Sequence, residues 1–146
     1  MNPWGSLLWE FFHTLSNNIP EKQYPIIKDE LMKHIKILCS CLPCPICSEH
    51  ASQYMKNVRT PETKEGFKQL FVHFHNSVNV RLNKPIFLMN EFEKYKNVNL
   101  TYSFHSCKQI LLHQPYNPKF SMNKINLQRF LRLFYIWLGK NGLIYK

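Results

Sequence analysis

Cys44-Pro45-Ile46-Cys47 is the segment whose residue types and spacing most directly suggest chemistry, a C-x-x-C placed where the pattern predicts the start of a helix. Unpaired N–H groups and the positive end of the helix dipole lower a thiol pKa there and favour the thiolate, the form that exchanges with disulfides. That placement favours redox exchange. Cys41, Cys44 and Cys47 also fall in a C-x2-C-x2-C spacing seen in iron-sulfur ligation, and His50 would complete a zinc set. Two buried, chemically inert thiols are the third reading. Spacing alone leaves all three open.

A second constellation lies further along, in His75-Asn76-Ser77-Val78-Asn79-Val80-Arg81-Leu82. His75 and Asn79 are i, i+4, Asn76 is one step round, and Arg81 and Lys84 reach from the helix end, so a polar stripe runs along a helix that also carries Phe74, Val78 and Leu82. Polar groups facing inward need partners. A bound ligand can supply them.

The elements that must position these residues read as helices. Trp4, Leu8, Phe11 and Leu15 repeat at helical spacing over Trp4–Leu15, with Trp9 and His13 on a neighbouring face. Asn17, Asn18 and Pro20 break that helix, and a second runs from Tyr24 or Pro25 to Cys41. Prolines at 43 and 45 place a third helix over Cys44–Met55, since a first-turn proline lacks only an N–H that has no partner there. A fourth starts at Thr60 and Pro61 and runs to about Asn83, with Phe67, Leu70, Phe71, Phe74, Val78 and Leu82 on its apolar face. Asn90–Tyr95 suggests a short fifth helix, Asn97–Asn117 shows little period, and Asn123–Gly139 is a final amphipathic helix. Four helices on short connections predict an all-α bundle.

At 146 residues and 45% hydrophobic, the chain has enough apolar side chains for one domain with a small extension and no need of disulfide staples. Its formal charge of +10 attracts polyanions. Fifteen of the 19 positive residues are Lys, however, spread without a basic block, which argues against nucleic acid. Met1–Leu15 lacks the basic region and apolar core of a secretory signal. The strongly apolar Phe130–Leu138 stretch is short and interrupted by Arg132, so the expectation is a protein without a membrane span. In such a setting, thiols that form disulfides are expected to be catalytic.

Trp4-Gly5-x3-Trp9-x3-His13, Tyr24-Pro25, Cys44-x2-Cys47-x2-His50 and His75-Asn76-x-Val78-Asn79-x-Arg81-Leu82-x-Lys84, in that order, resemble the Erv/ALR family of FAD-linked sulfhydryl oxidases. The likeness covers about Pro3 to Phe87 and is greatest to the compact members encoded by large cytoplasmic DNA viruses. It implies a four-helix bundle with FAD at one end, a short fifth helix and a C-terminal helical extension, divided as residues 1–95 and 96–146.

By the same resemblance, Cys44 and Cys47 are catalytic, Cys47 beside the flavin and Cys44 facing the incoming thiol. Gly5, Trp9 and His13 approach the cofactor, His50, His75, Asn76 and Asn79 bind its adenine and ribose side, and Arg81 and Lys84 offer charge to the pyrophosphate. Tyr24, Val78 and Leu82 belong to the matching motifs and are carried over as cofactor-side residues. The implied activity oxidises thiol-containing protein substrates, with a thioredoxin-like carrier as one candidate, and passes electrons through FAD to oxygen to give hydrogen peroxide. A homodimer through helices 1 and 2 and a cytoplasmic location are expected, with the mitochondrial intermembrane space as the alternative. No metal, membrane or nucleic acid is called for.

The chain departs from the family pattern in two places. No cysteine lies about 17 residues after Cys107, where a structural C-x16-C pair would end, and the tail has no shuttle C-x-C or C-x-x-C. Cys39 reads as a buried reduced thiol. Cys41 is close enough in sequence to exchange with the active pair, and Cys107 is either a free thiol or a shuttle partner. The rival function is a zinc or iron-sulfur module using Cys39, Cys41, Cys44, Cys47 and His50 in a basic helical protein that contacts nucleic acid.

Overall fold

A computed structural model describes residues 3–115 and 121–145, and among these the regular structure is helical with no strands. The elements are α1 Pro3–Asn18, α2 Tyr24–Ser40, α3 Pro45–Lys56, α4 Lys64–Arg81, a 3-10 segment Met89–Asn97, α5 Leu100–Leu112 and α6 Ser121–Lys140. Pro25 and Pro45 occupy the first turns of α2 and α3. The fourth helix starts at Lys64 rather than Thr60, because Thr63 is the residue that caps it: its hydroxyl accepts the Gly66 N–H at 3.0 Å.

Beyond Arg81 the chain turns sharply. Asn83 takes a left-handed backbone with φ 57°, its N–H donates to the Val80 carbonyl, and the Lys84 N–H donates to the Asn79 carbonyl at 2.8 Å. This is a Schellman closure with asparagine in the position usually given to glycine. It ends α4 before Asn83 and sends the following strap, through Phe87, back over α4. The expected short fifth helix over Asn90–Tyr95 is present as the 3-10 segment, which runs slightly longer, from Met89 to Asn97.

Two helix pairs, α1 with α4 and α2 with α3, supply the core around the candidate site. The predicted apolar stripe of α1 is buried, and Phe12 stacks on Phe71 of α4 at 4.7 Å. The larger correction is α5. Leu100, Phe104, Cys107 and Leu111 form a buried stripe at spacings of four and three, obscured in the sequence by the polar residues between them. The end of that supposedly irregular stretch, including Asn117, lies outside the described residues.

Both late helices join the same core. Phe11 of α1 meets Phe104 of α5 at 5.7 Å and Phe134 of α6 at 6.0 Å. The Trp137 indole N–H donates to Glu30 at 2.6 Å, and His34 lies against Phe134 and Trp137. Helix α5 therefore packs along α1 and α6 packs against α2, the two helices on which the resemblance places a subunit contact. No helix among the described residues is long and apolar enough to cross a membrane.

Candidate active site

The first half of the site is the start of α3. Cys44 is its N-cap, in extended backbone, and is disulfide-bonded to Cys47 with their Cα atoms 5.1 Å apart. The Cys47 N–H donates to the Cys44 sulfur at 3.2 Å. Charge developing on that sulfur therefore meets an amide donor at the positive end of a helix. Ser48 fixes the arrangement by donating to the Cys39 carbonyl at 2.8 Å and accepting the Leu42 N–H at 3.2 Å, which ties α3 to the end of α2. Both cysteines are half-buried against the core, while Ile46 between them is 66% exposed, leaving an approach from the Pro45-Ile46 side.

The other cysteines are placed differently. Cys39 and Cys107 are free, buried thiols; burial pushes Cys39 up to about 12 and Cys107 well above the usual range. Cys41 is buried too, donates towards the Ile37 carbonyl at 3.3 Å, and is pushed up to about 12 by burial. A thiol so reluctant to ionise is a poor partner for exchange. His50 is exposed, and no group of three or more His, Cys, Asp or Glu among the described residues is placed to hold a metal ion.

The second half is built where α1 crosses α4. The Trp9 ring stacks on His75 with centroids 4.1 Å apart and planes within 7°. His13, one turn beyond Trp9, places Nε2 at 2.9 Å from His75 Nδ1, one nitrogen donating and the other accepting. Burial chiefly holds His13 down to about 3 and His75 to about 4, with the neighbouring histidine adding to the effect at His13 and Lys84 at His75. Both rings are therefore neutral at neutral pH. Phe92 and Tyr95 of the 3-10 segment lie over His13 at 4.3 and 5.0 Å.

Asn79, one turn after His75, is buried, and its amide nitrogen has no hydrogen-bond partner. Such an orphan donor is costly unless a ligand accepts from it. Asn76 is committed locally: its amide donates to the Phe87 carbonyl at 3.0 Å and accepts the Phe87 N–H at 2.9 Å, clamping the strap onto α4. Val78 is half-buried against the core, and Arg81, Leu82 and Lys84 are exposed at the end of α4. Gly5 is half-buried in the first turn of α1.

Tyr24 sits elsewhere. Its hydroxyl donates to the Pro61 carbonyl at 2.7 Å and its ring packs on Phe67, so its observed contacts tie α2 to the loop before α4. Sequence reasoning missed Tyr54, which stacks on Phe74 at 4.8 Å; Phe74 in turn meets Trp9 at 5.0 Å. These rings connect the disulfide-bearing helix to the histidine pair. The signal was available, because Tyr54 lies two turns from Cys47 on the same face of α3.

A disulfide at the start of a helix that is itself linked through aromatic side chains to a neutral histidine pair, with an unpartnered buried amide nitrogen beside it, defines a helical thiol-redox protein with a cradle for a planar, polar-edged ligand. The Erv1 / Alr family model matches residues 6–97, and the chain belongs to that family. It is 35% identical over 91 residues to the Putative FAD-linked sulfhydryl oxidase 347L of Invertebrate iridescent virus 6, covering 57% of this chain and 82% of the relative. Identity to the FAD-linked sulfhydryl oxidase of African swine fever virus is 34% over 96 residues, covering 65% and 78%. The FAD-linked sulfhydryl oxidase ERV1 of Arabidopsis thaliana is 33% identical over 84 residues, covering 57% of this chain and 44% of the plant protein.

Proposed function

We propose that this protein is an FAD-linked sulfhydryl oxidase that forms disulfides in client proteins, a reading carried by the Cys44–Cys47 disulfide at the start of α3 in a chain of the Erv1 / Alr family. The residues fit the cofactor. The Trp9–His75 stack offers a surface for a planar ring, Asn79 offers an unused donor, and Arg81, Lys84 and Lys94 provide positive charge for a pyrophosphate. A cavity of about 180 Å³ beside His13, lined in part by Asn17, Lys68 and Phe92, takes a portion of such a ligand.

Cys44 is the sulfur a client thiolate attacks. A bond forms between client sulfur and Cys44, the Cys44–Cys47 bond breaks, and Cys47 leaves as a thiolate. A second client thiolate then attacks the client sulfur of the mixed disulfide and expels Cys44, whose charge meets the Cys47 N–H. The client leaves with a disulfide and the enzyme holds the electron pair on its two cysteines. Bound FAD would supply the two-electron acceptor that lets Cys44 and Cys47 re-form their disulfide with loss of two protons, and dioxygen, taking the pair and the two protons, would leave as hydrogen peroxide. Neutral His13 and His75 hold each other in register, keeping the His75 ring flat against Trp9.

On this reading residues 1–95 are the oxidase unit and 96–146 an extension packed on it. The clients are thiol proteins, a thioredoxin-like carrier among them, and the work is done in the cytoplasm, or in the mitochondrial intermembrane space as in the alternative. A homodimer would use a surface other than the sides of α1 and α2 already packed against α5 and α6. The test is dithiothreitol oxidation with peroxide detection: Cys44→Ser and Cys47→Ser each abolish turnover while the protein stays yellow. Unimpaired turnover in either variant would overturn the assignment.

A further inference from the structure

The net positive charge of the chain is concentrated late in the sequence, because the acidic residues all lie earlier. Residues 98–146 contain seven Lys and Arg and no Asp or Glu, so they carry +7 of the +10. Within this region α6 forms one wall of a groove of about 300 Å³ against the end of α2. Ile37 comes from α2 and Cys41 is the residue that caps its end, while Asn126, Arg129, Phe130 and Leu133 come from one side of α6 at spacings of three and four. The floor is apolar: Phe130 is buried, while Ile37 and Leu133 remain about half exposed at 48% and 51%. Arg129 is exposed on the same wall.

One lining residue of the groove, Cys41, lies close in the chain to the reactive disulfide. Cys41 precedes Cys44 by three residues, a reach of at most about 11 Å between their Cα atoms. Ile46, between the paired cysteines, is an exposed apolar side chain. A client whose thiol meets Cys44 therefore has neighbouring residues within range of a cleft with an apolar floor and a cationic rim.

Resting on the oxidase reading above, we infer that the α2–α6 groove docks an extended client segment carrying an apolar side chain flanked by carboxylates, delivering a nearby client thiol to Cys44. The apolar side chain fills the space over Phe130 between Ile37 and Leu133. The carboxylates face Arg129 in a region with no acidic residue of its own, which favours an acidic partner and repels a basic one. The extension is then a specificity element, setting which thiols reach a disulfide that small dithiols reach unaided.

The experiment uses the full-length flavin-loaded protein and two labelled peptides with one apolar residue, identical except for acidic or lysine flanks, with the client cysteines replaced by serine. Anisotropy is expected to give binding of the acidic peptide at least about tenfold tighter than of the lysine peptide. Arg129→Glu is expected to reverse that order, and Leu133→Ser to weaken the acidic peptide without reversing it. Equal binding of the peptides, or an order unchanged by Arg129→Glu, overturns the groove. So does a single-stranded oligonucleotide that displaces the acidic peptide and itself binds more tightly in an Arg129-dependent way. Dithiothreitol oxidation is measured in parallel: selective binding without oxidation overturns the oxidase reading alone, and oxidation without selective binding overturns the groove alone.

Discussion

His13 and His75 are each recognisable in the sequence as chemistry-bearing, but their pairing depends on how α1 lies on α4 and is seen only in the fold. Their low folded-state pKa values give stability a definite pH dependence. Between the ordinary histidine value of 6.5 and the folded values of about 3 and 4, the unfolded chain binds protons that the native state refuses. Stability therefore falls as pH drops from 7 towards 4, with up to two protons in the slope. Denaturant melts at a series of pH values check this, and His13→Gln should flatten the dependence. Asn79 separates structure from ligand binding: Asn79→Leu should leave the apoprotein at least as stable, since the amide has no partner, while weakening FAD retention about tenfold. The polar stripe on α4 was legible as needing partners, but the sequence does not show which partners are internal. Asn76 bonds to the Phe87 backbone and Tyr24 to the Pro61 carbonyl, contacts made by loops whose paths no periodicity encodes.

At the scale of elements, the long apolar stripes of α1, α2 and α4 declared themselves, and the prolines marked the starts of α2 and α3. Boundaries governed by hydrogen bonding were less visible. Thr63 caps α4 through a local side-chain bond that competes with the more conspicuous Thr60-Pro61. Thr63→Ala should cost about 1 kcal/mol by chemical denaturation. Asn83 closes α4 in a left-handed turn, so Asn83→Val, which adds a β-branch where φ is 57°, should cost about 1–2 kcal/mol and Asn83→Gly should not. Because that turn leads into the strap clamped by Asn76, Asn83→Val should also loosen the cover over His75, measurable as faster amide exchange around Phe87. Helix α5 escaped sequence reading because its buried stripe has only four members separated by Thr, Tyr, Ser and His.

For the whole molecule, the family match covers residues 6–97 while the hydrophobic core continues through Ile144. The late helices thus share one core with the part that the family model matches. Phe134, fully buried against Phe11, Phe104 and Phe130, links the two, and Phe134→Ala should destabilise the whole protein by about 3–5 kcal/mol in one cooperative transition. Separate transitions for the early and late helices in calorimetry would show instead that they fold as two units. The five cysteines also divide at this scale: one pair is disulfide-bonded at the core's edge, and three lie buried. Whether the bonded pair feeds electrons to a flavin held by the same chain is tested most directly by anaerobic titration of the purified protein with dithiothreitol. Electron transfer from the pair to the flavin requires that flavin absorbance bleaches, that more dithiol is consumed than the flavin alone requires, and that admitted air restores the colour with release of peroxide. A colourless protein that releases stoichiometric zinc, or a flavin that dithiothreitol reduces equally well in Cys44→Ser, would contradict it.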